Sequence, residues 1–403
     1  MITSPPVKIG GAQESGFPGT PNDTYAGPFV FNGKLFGIFT TLAQNPSRLQ
    51  VFMSANNGQT WTQQDAAHAP SVVGSSIEYN TVFDPVAGII YFVYQSAIGS
   101  LAFGIFNCTT LAFTATFYPT VADTQGALFA FDLVVRADGS AIVTYINNAN
   151  HLIYKVNTAG TWSAATQATP QTAGHTYATQ NLILDSTQTT HLIYLDTAAG
   201  VNTWQHVTIS NAAGGNVLGA PASITTTLQL NGDTMFRGGI WQGQLVLPVV
   251  RVSGGTNTRA SVFLGNPVAA PVWSVLDIQL NGAGETILDS NILVNGTALL
   301  STWSVNGGIG IAPFQMRMAT NTGSGYGAVS VFYNAALNPP ADNPTNNQQE
   351  VQDVTLVIDP VGNMSGFVTL TDASLNFAAY YLAGTASSGL PVTLTMKGEK
   401  VYT

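Results

Sequence analysis

A small set of ionisable and aromatic side chains stands at the starts of apolar strands: Glu78-Tyr79-Asn80, Asp132, His175 with Tyr177 and Gln180, Asp233 with Arg237, Glu285 with Asp289, and Glu350 with Asp353. Two carboxylates held about 5 to 10 Å apart can act on a glycosidic bond as acid and base, or as acid and nucleophile, with His175 or Tyr177 assisting proton transfer. The same Asp and Glu residues also serve as strand caps or solvated loop groups. No residue is therefore assigned a catalytic role, and Glu78, Tyr79, His175, Tyr177, Arg237, Glu285 and Asp289 stand as ligand-binding candidates. With 20 carboxylates in 403 residues, acids at four or more of these starts are a modest enrichment.

Composition removes several other chemistries. Charged residues make up 8% of the chain, against about 25% in an average protein, so the surface is polar but nearly uncharged. A formal charge of -9 and a pI near 4.7 lack the basic footprint of a DNA or RNA binder. Cys108 is the only cysteine, which rules out an internal disulfide and a Cys-based metal site. The five histidines (His68, His151, His175, His191, His206) show no metal-ligand spacing, so neither a metal nor a cofactor is expected.

Targeting signals are weak. Met1-Ile2-Thr3-Ser4-Pro5-Pro6 lacks the basic start and apolar core of a secretory signal, and the expectation is a soluble protein that is intracellular, processed or released by lysis. Val86 to Phe106 carries no charge and is long enough for a membrane span. Gly88, Gln95, Ser96, Gly99 and Ser100 divide it, however, so it is expected to form a buried hairpin and not a span.

The elements that must position these residues come from self-similarity. Helical periodicity is nearly absent, and short apolar runs broken by Gly, Asn, Asp and Pro recur throughout. Seven segments share one pattern of strand, turn, more apolar strand, polar turn and further strands, with first strands at intervals of roughly 50 to 60 residues. This predicts an all-β chain forming a single β-propeller of seven blades, with six as the alternative. The blades fall near 25–67, 78–118, 128–168, 178–220, 235–279, 288–334 and 351–398. Either an N-terminal strand near Ser4 to Ile9 or the C-terminal Val392 to Tyr402 would close the ring. Segments entering the first strands converge on one face of such a ring, and this is what selects the candidates above. His151 and His191, each followed by Leu-Ile-Tyr, are expected to fill one structural slot in successive blades.

Ser54-Ala55-Asn56-Asn57-Gly58-Gln59-Thr60-Trp61 follows the apolar run Leu49 to Met53, and Asn and Gly suit the tight turn it requires. The stretch resembles the Asp-box of sialidase-like (BNR-repeat) β-propellers, Ser-x-Asp-x-Gly-x-Thr-Trp, with Asn56 where that family has Asp. Degenerate relatives follow at Asn157 to Trp162 and Asp196 to Trp204. The resemblance gives Ser54, Asn56, Gly58, Thr60 and Trp61 a structural role, bracing an outer hairpin away from the ligand face. The sialidase catalytic set does not carry over. Among the six arginines (Arg48, Arg136, Arg237, Arg251, Arg259, Arg317) there is no Arg-Ile-Pro motif, and Arg48 and Arg136 are not placed to bind a carboxylate.

Loop tyrosines (Tyr25, Tyr79, Tyr118, Tyr177, Tyr326, Tyr333) offer faces for sugar stacking. The expected function is a non-enzymatic recognition or structural module. Its uncharged surface suits a phage virion component that binds a glycan or cell-surface receptor, or decorates the particle. Other virion proteins would dock through the Pro/Asn-rich 337–349 loop or the termini. The alternative is a glycoside hydrolase or polysaccharide lyase. A cytoplasmic scaffold is disfavoured, since such hubs display more charge.

Overall fold

Short apolar runs separated by turn residues fold into seven antiparallel meanders, and the chain is a seven-bladed β-propeller. The structure is a computed structural model and describes residues 7–13, 25–41, 47–72, 79–97, 100–114, 118–121, 131–147, 149–169, 173–212, 215–224, 234–253, 256–280, 285–295, 297–307, 315–334, 352–358, 363–371, 377–383 and 394–395. The innermost strands of sheets one to four are Tyr25–Phe31, Tyr79–Asp84, Phe131–Val135 and His175–Leu184. In sheet five the inner strand is split into Thr234–Met235 and Gly239–Trp241, and sheets six and seven begin with Glu285–Asn295 and Gln352–Ile358. Neighbouring inner strands touch in succession, and the seventh meets the first to close the ring.

No sheet buries its own faces, so the core is divided among the seams. The second strand of sheet four, Thr190–Ala198, turns Leu192 and Tyr194 toward sheet three and Ile193 and Leu195 toward sheet five. This is why it reads as an unbroken apolar run. The same burial accounts for Val86 to Phe106, whose strands Ile89–Ala97 and Ser100–Asn107 pair as a hairpin. Among the described residues no helix is long and apolar enough to cross a membrane.

Of the two closures left open by the sequence, the N-terminal one occurs. Val7–Gln13 forms the outer strand of sheet seven, with Val7 opposite Tyr381. Leu394–Thr395 pairs instead with the inner strand of sheet six.

The turn from Ser54 to Trp61 joins the third and fourth strands of sheet one and is bonded internally. Ser54 Oγ accepts the Gly58 amide at 2.8 Å, and Asn56 Oδ1 accepts the Thr60 amide at 2.9 Å. Trp61 Nε1 donates to the Gly58 carbonyl at 3.1 Å. Gly58 has φ of 83°, and a Cβ there would lie 2.0 Å from Cε1 of Tyr381 on sheet seven. Gly33, in the turn between the first two strands, also has positive φ (73°) but open space around it. Gly58→Ala is expected to lower the unfolding free energy by about 2 to 3 kcal/mol, combining left-handed strain with overpacking. Gly33→Ala should show the strain alone, about 1 to 2 kcal/mol. Equal midpoints for the two variants in chemical denaturation would show that the Tyr381 contact adds nothing to the cost.

Two expectations about repeats need correction. Asn157 to Trp162 does occupy the matching outer turn in sheet three, with Asn157 Oδ1 accepting the Gly160 amide at 3.0 Å. Ala199-Gly200, however, joins the second and third strands of sheet four, and Trp204 lies within that third strand. His151 and His191 also do not share a slot. His151 precedes the third strand of sheet three, whereas His191 lies in the second strand of sheet four. A His-Leu-Ile-Tyr run suits any strand buried on both faces, so the motif does not report strand order.

Candidate functional site

Polar residues on the inner strands of sheets two, three and four each make a hydrogen bond to the next sheet. Asn80 Nδ2 donates to the Phe131 carbonyl at 2.6 Å, and Asp132 Oδ2 accepts the Leu182 amide at 2.6 Å. Asn181 Nδ2 donates to the Phe236 carbonyl at 2.8 Å. From sheet five, Arg237 reaches the far side of the ring. Its Nη1 donates to the Thr81 carbonyl at 3.1 Å and its Nη2 to the Leu133 carbonyl at 2.7 Å, with Asp132 Oδ1 3.4 Å from Nη2. Both charged side chains are buried. At this level the axis is filled by the protein's own guanidinium, so Arg237 holds sheets together where the sequence suggested an accessible ligand contact. Tyr79 is likewise buried and donates its hydroxyl to the Ile38 carbonyl of sheet one at 3.0 Å.

His175 and Tyr177 are brought together on one face of the inner strand of sheet four, turned toward sheet three. The cross-strand partner of Tyr177 is Asp196, whose Oδ1 lies 2.8 Å from His175 Nδ1. An ionised carboxylate only accepts, so Nδ1 carries the hydrogen and Nε2 is left as the acceptor nitrogen. Across the seam, Asn150 adopts positive φ in a turn of sheet three and donates its side-chain amide to the His175 carbonyl at 3.1 Å. The His175 side chain is 25% exposed and Asp196 is 14% exposed, so the pair sits at an open rim. Tyr177 packs edge-on against Tyr194, with ring centroids 5.9 Å apart. Burial first, then the Asp196 carboxylate, pushes the Tyr194 phenol above its ordinary range, so it remains a proton donor.

Glu285 stands elsewhere, at the start of the inner strand of sheet six. Arg317 on the third strand grips it in a two-point pair, Nη2 at 2.5 Å and Nη1 at 3.0 Å. Asp289 pairs through its backbone with Ser304 in the same sheet. Glu78, Asp233, Glu350 and the 337–349 loop lie outside the described residues. Of the loop tyrosines, Tyr177, Tyr79 and Tyr333 are buried, and the Tyr326 hydroxyl bonds Ser301 Oγ.

Sequence reasoning missed Asp196, Asn150 and Arg317 as partners. Asp196 meets Tyr177 only because a β-bulge between Ala178 and Gln180 shifts the hairpin register by one residue, which residue spacing does not show. Among the described residues no cluster of His, Cys, Asp and Glu could hold a metal ion.

No protein-family model matches the chain, and no curated protein matches it in sequence. Among solved structures it is similar to the polysaccharide lyase Uly1, at 10% identity over 94% of this chain and 96% of that one, with a TM-score of 0.50. It is similar to a prolyl endopeptidase at 11% identity over 93% of this chain and 51% of that one, also with a TM-score of 0.50. This chain therefore spans about half of the peptidase's length. The phage phi92 endosialidase is similar at 10% identity over 99% of this chain and 72% of that one, with a TM-score of 0.48. At these identities the likeness is one of fold.

Proposed function

We propose that this propeller is a glycan-recognition module whose site lies on the rim between sheets three and four. The observation that carries the reading is the His175–Asp196 pair, partly exposed beside Asn150 in a chain that has few charges. An imidazole, a carboxylate and a carboxamide together offer donors and acceptors, which suits a polyhydroxylated ligand, whose hydroxyls do both. A polysaccharide lyase shares the fold, but so does a peptidase, and fold alone does not select a ligand. The uncharged surface and the absence of disulfide-forming cysteine pairs support a place in a phage particle, as a receptor-binding or decorating protein. The Ser54 to Trp61 turn, with its Ser54, Asn56 and Trp61 hydrogen bonds, supports reading it as an Asp-box of the BNR type.

The test is glycan-array binding by the parent and by His175→Ala. Loss of a hydrogen bond from a charge-assisted group is expected to weaken binding about 10- to 100-fold with the thermal midpoint nearly unchanged. Full binding by the variant would move the site away from this rim, and an empty array for the parent would end the glycan reading.

A polysaccharide-cleaving enzyme is the second reading, favoured by the carboxylate that orients His175 and leaves Nε2 as a base. Product formation in a polysaccharide-cleavage screen that disappears in His175→Ala would decide for it.

A further inference from the structure

We propose that Asp185, His191 and His206 form an acid-operated latch on the seam between sheets four and five, holding the seam shut while both imidazoles are neutral and releasing it when a proton enters. The latch lies on the face of sheet four opposite the His175 rim and stands whatever that rim binds. His191 is on the second strand and His206 on the third, both fully buried. They face sheet five on the side where Ile193, Leu195 and Trp204 pack against Leu245, Leu247 and Phe263. His191 Nδ1 is 2.9 Å from His206 Nε2, and His191 Nε2 is 3.2 Å from Asp185 Oδ2. The other oxygen of Asp185 is occupied by the Thr187 amide and hydroxyl and the Thr189 amide, at 2.7 to 2.9 Å.

Counting hydrogens shows why the chain suits the neutral state. Its two links, nitrogen to oxygen and nitrogen to nitrogen, need one hydrogen each, and two neutral imidazoles carry two. The carboxylate accepts from His191 Nε2, so His191 Nδ1 accepts from His206 Nε2. An additional proton must go to His206 Nδ1, a buried atom with no hydrogen-bond partner. The Ala269 backbone favours it slightly but is too loosely placed to count as a bond, and His191 opposes it. From sheet five the neighbours are apolar or aromatic, with the Trp273 ring 6.4 Å from that of His206. The described charges of that sheet on this face, Arg251, Arg259 and Asp277, are paired with one another further along the strands.

Burial holds the His206 imidazole down at about 3, and it lowers His191 as well, against the opposing pull of Asp185. Both folded values lie below the unfolded value of about 6.5. The histidines therefore contribute stability that is complete above about pH 6.5 and is lost as pH falls toward the folded value. For each proton taken up, the opening equilibrium rises about tenfold per pH unit in that window.

The experiment is hydrogen exchange on the full chain at pH 7 and pH 4.5, corrected for intrinsic rates, together with NMR titration of the histidine rings. Strands 190–209 and 244–265 are expected to lose protection 10-fold or more. The seam between sheets six and seven, two sheets whose sequence contains no histidine, should hold. His206→Gln keeps an Nε2 donor toward His191 but cannot take a proton, and is expected to flatten the acid dependence by one proton. The proposal is overturned by a folded-state His206 that titrates near 6.5, by equal loss of protection at all seams, or by a His206→Gln chain with the parent's acid response. If that variant does not fold, the parent's titration decides alone.

Discussion

Arg237→Met is expected to lower the unfolding free energy by about 3 to 5 kcal/mol, read as a shift in urea midpoint with unchanged slope. Methionine replaces the volume of the side chain but not its charge. The Asp132 carboxylate then remains buried without the cation 3.4 Å away, and the carbonyls of Thr81 and Leu133 lose their donor. Removing the charge of the partner as well, in Arg237→Met with Asp132→Asn, should recover part of the loss, because no ion is left stranded. A single variant as stable as the parent would show that the guanidinium does not tie sheet five to sheets two and three.

Trp61→Ala is expected to cost about 3 to 5 kcal/mol, the usual range for deleting a buried indole. The ring lies 5.3 Å from Phe367 and 5.6 Å from Tyr381, so this side chain of sheet one packs on two strands of sheet seven at the closing seam. The damage should be local at first. Protease cleavage is expected to appear early in Val7–Gln13, the outer strand that pairs beside Tyr381. Trp61→Phe should retain most ring packing, lose the hydrogen bond to the Gly58 carbonyl, and fall between the two. Uniform cleavage along the chain would argue that Trp61 supports general stability and not ring closure.

These results explain how much of the molecule was legible beforehand. The seven-fold repeat was readable because middle strands such as Ala141–Ile146 are buried on both faces, and a continuous apolar run between turn residues reports that locally. Strand order within a repeat was less readable. His-Leu-Ile-Tyr opens a third strand in sheet three and fills a second strand in sheet four, since both positions demand the same side chains. The Gly200 turn resembled the Gly58 turn for a similar reason: both need left-handed residues, whichever strands they join.

The candidate site was legible only in part. His175 and Tyr177 share a strand face two residues apart, which alternation alone predicts. Asp196 and Asn150 join them through hairpin register and an inter-sheet seam, and neither is encoded by local spacing.

By itself, then, the amino-acid order determined the number of sheets, their apolar interiors and the turn chemistry, all of which depend on neighbours a few residues apart. The tertiary structure alone decided what each polar residue does. Asn80, Asp132, Asn181 and Arg237 are alike in sequence only in being polar residues in or beside an inner strand. Closing the ring brings residues 50 to 156 positions apart within hydrogen-bond distance. Where such a residue meets a carbonyl across the axis it becomes a tie between sheets. His175 and Asp196, set at the rim of a seam instead, keep a face open to solvent.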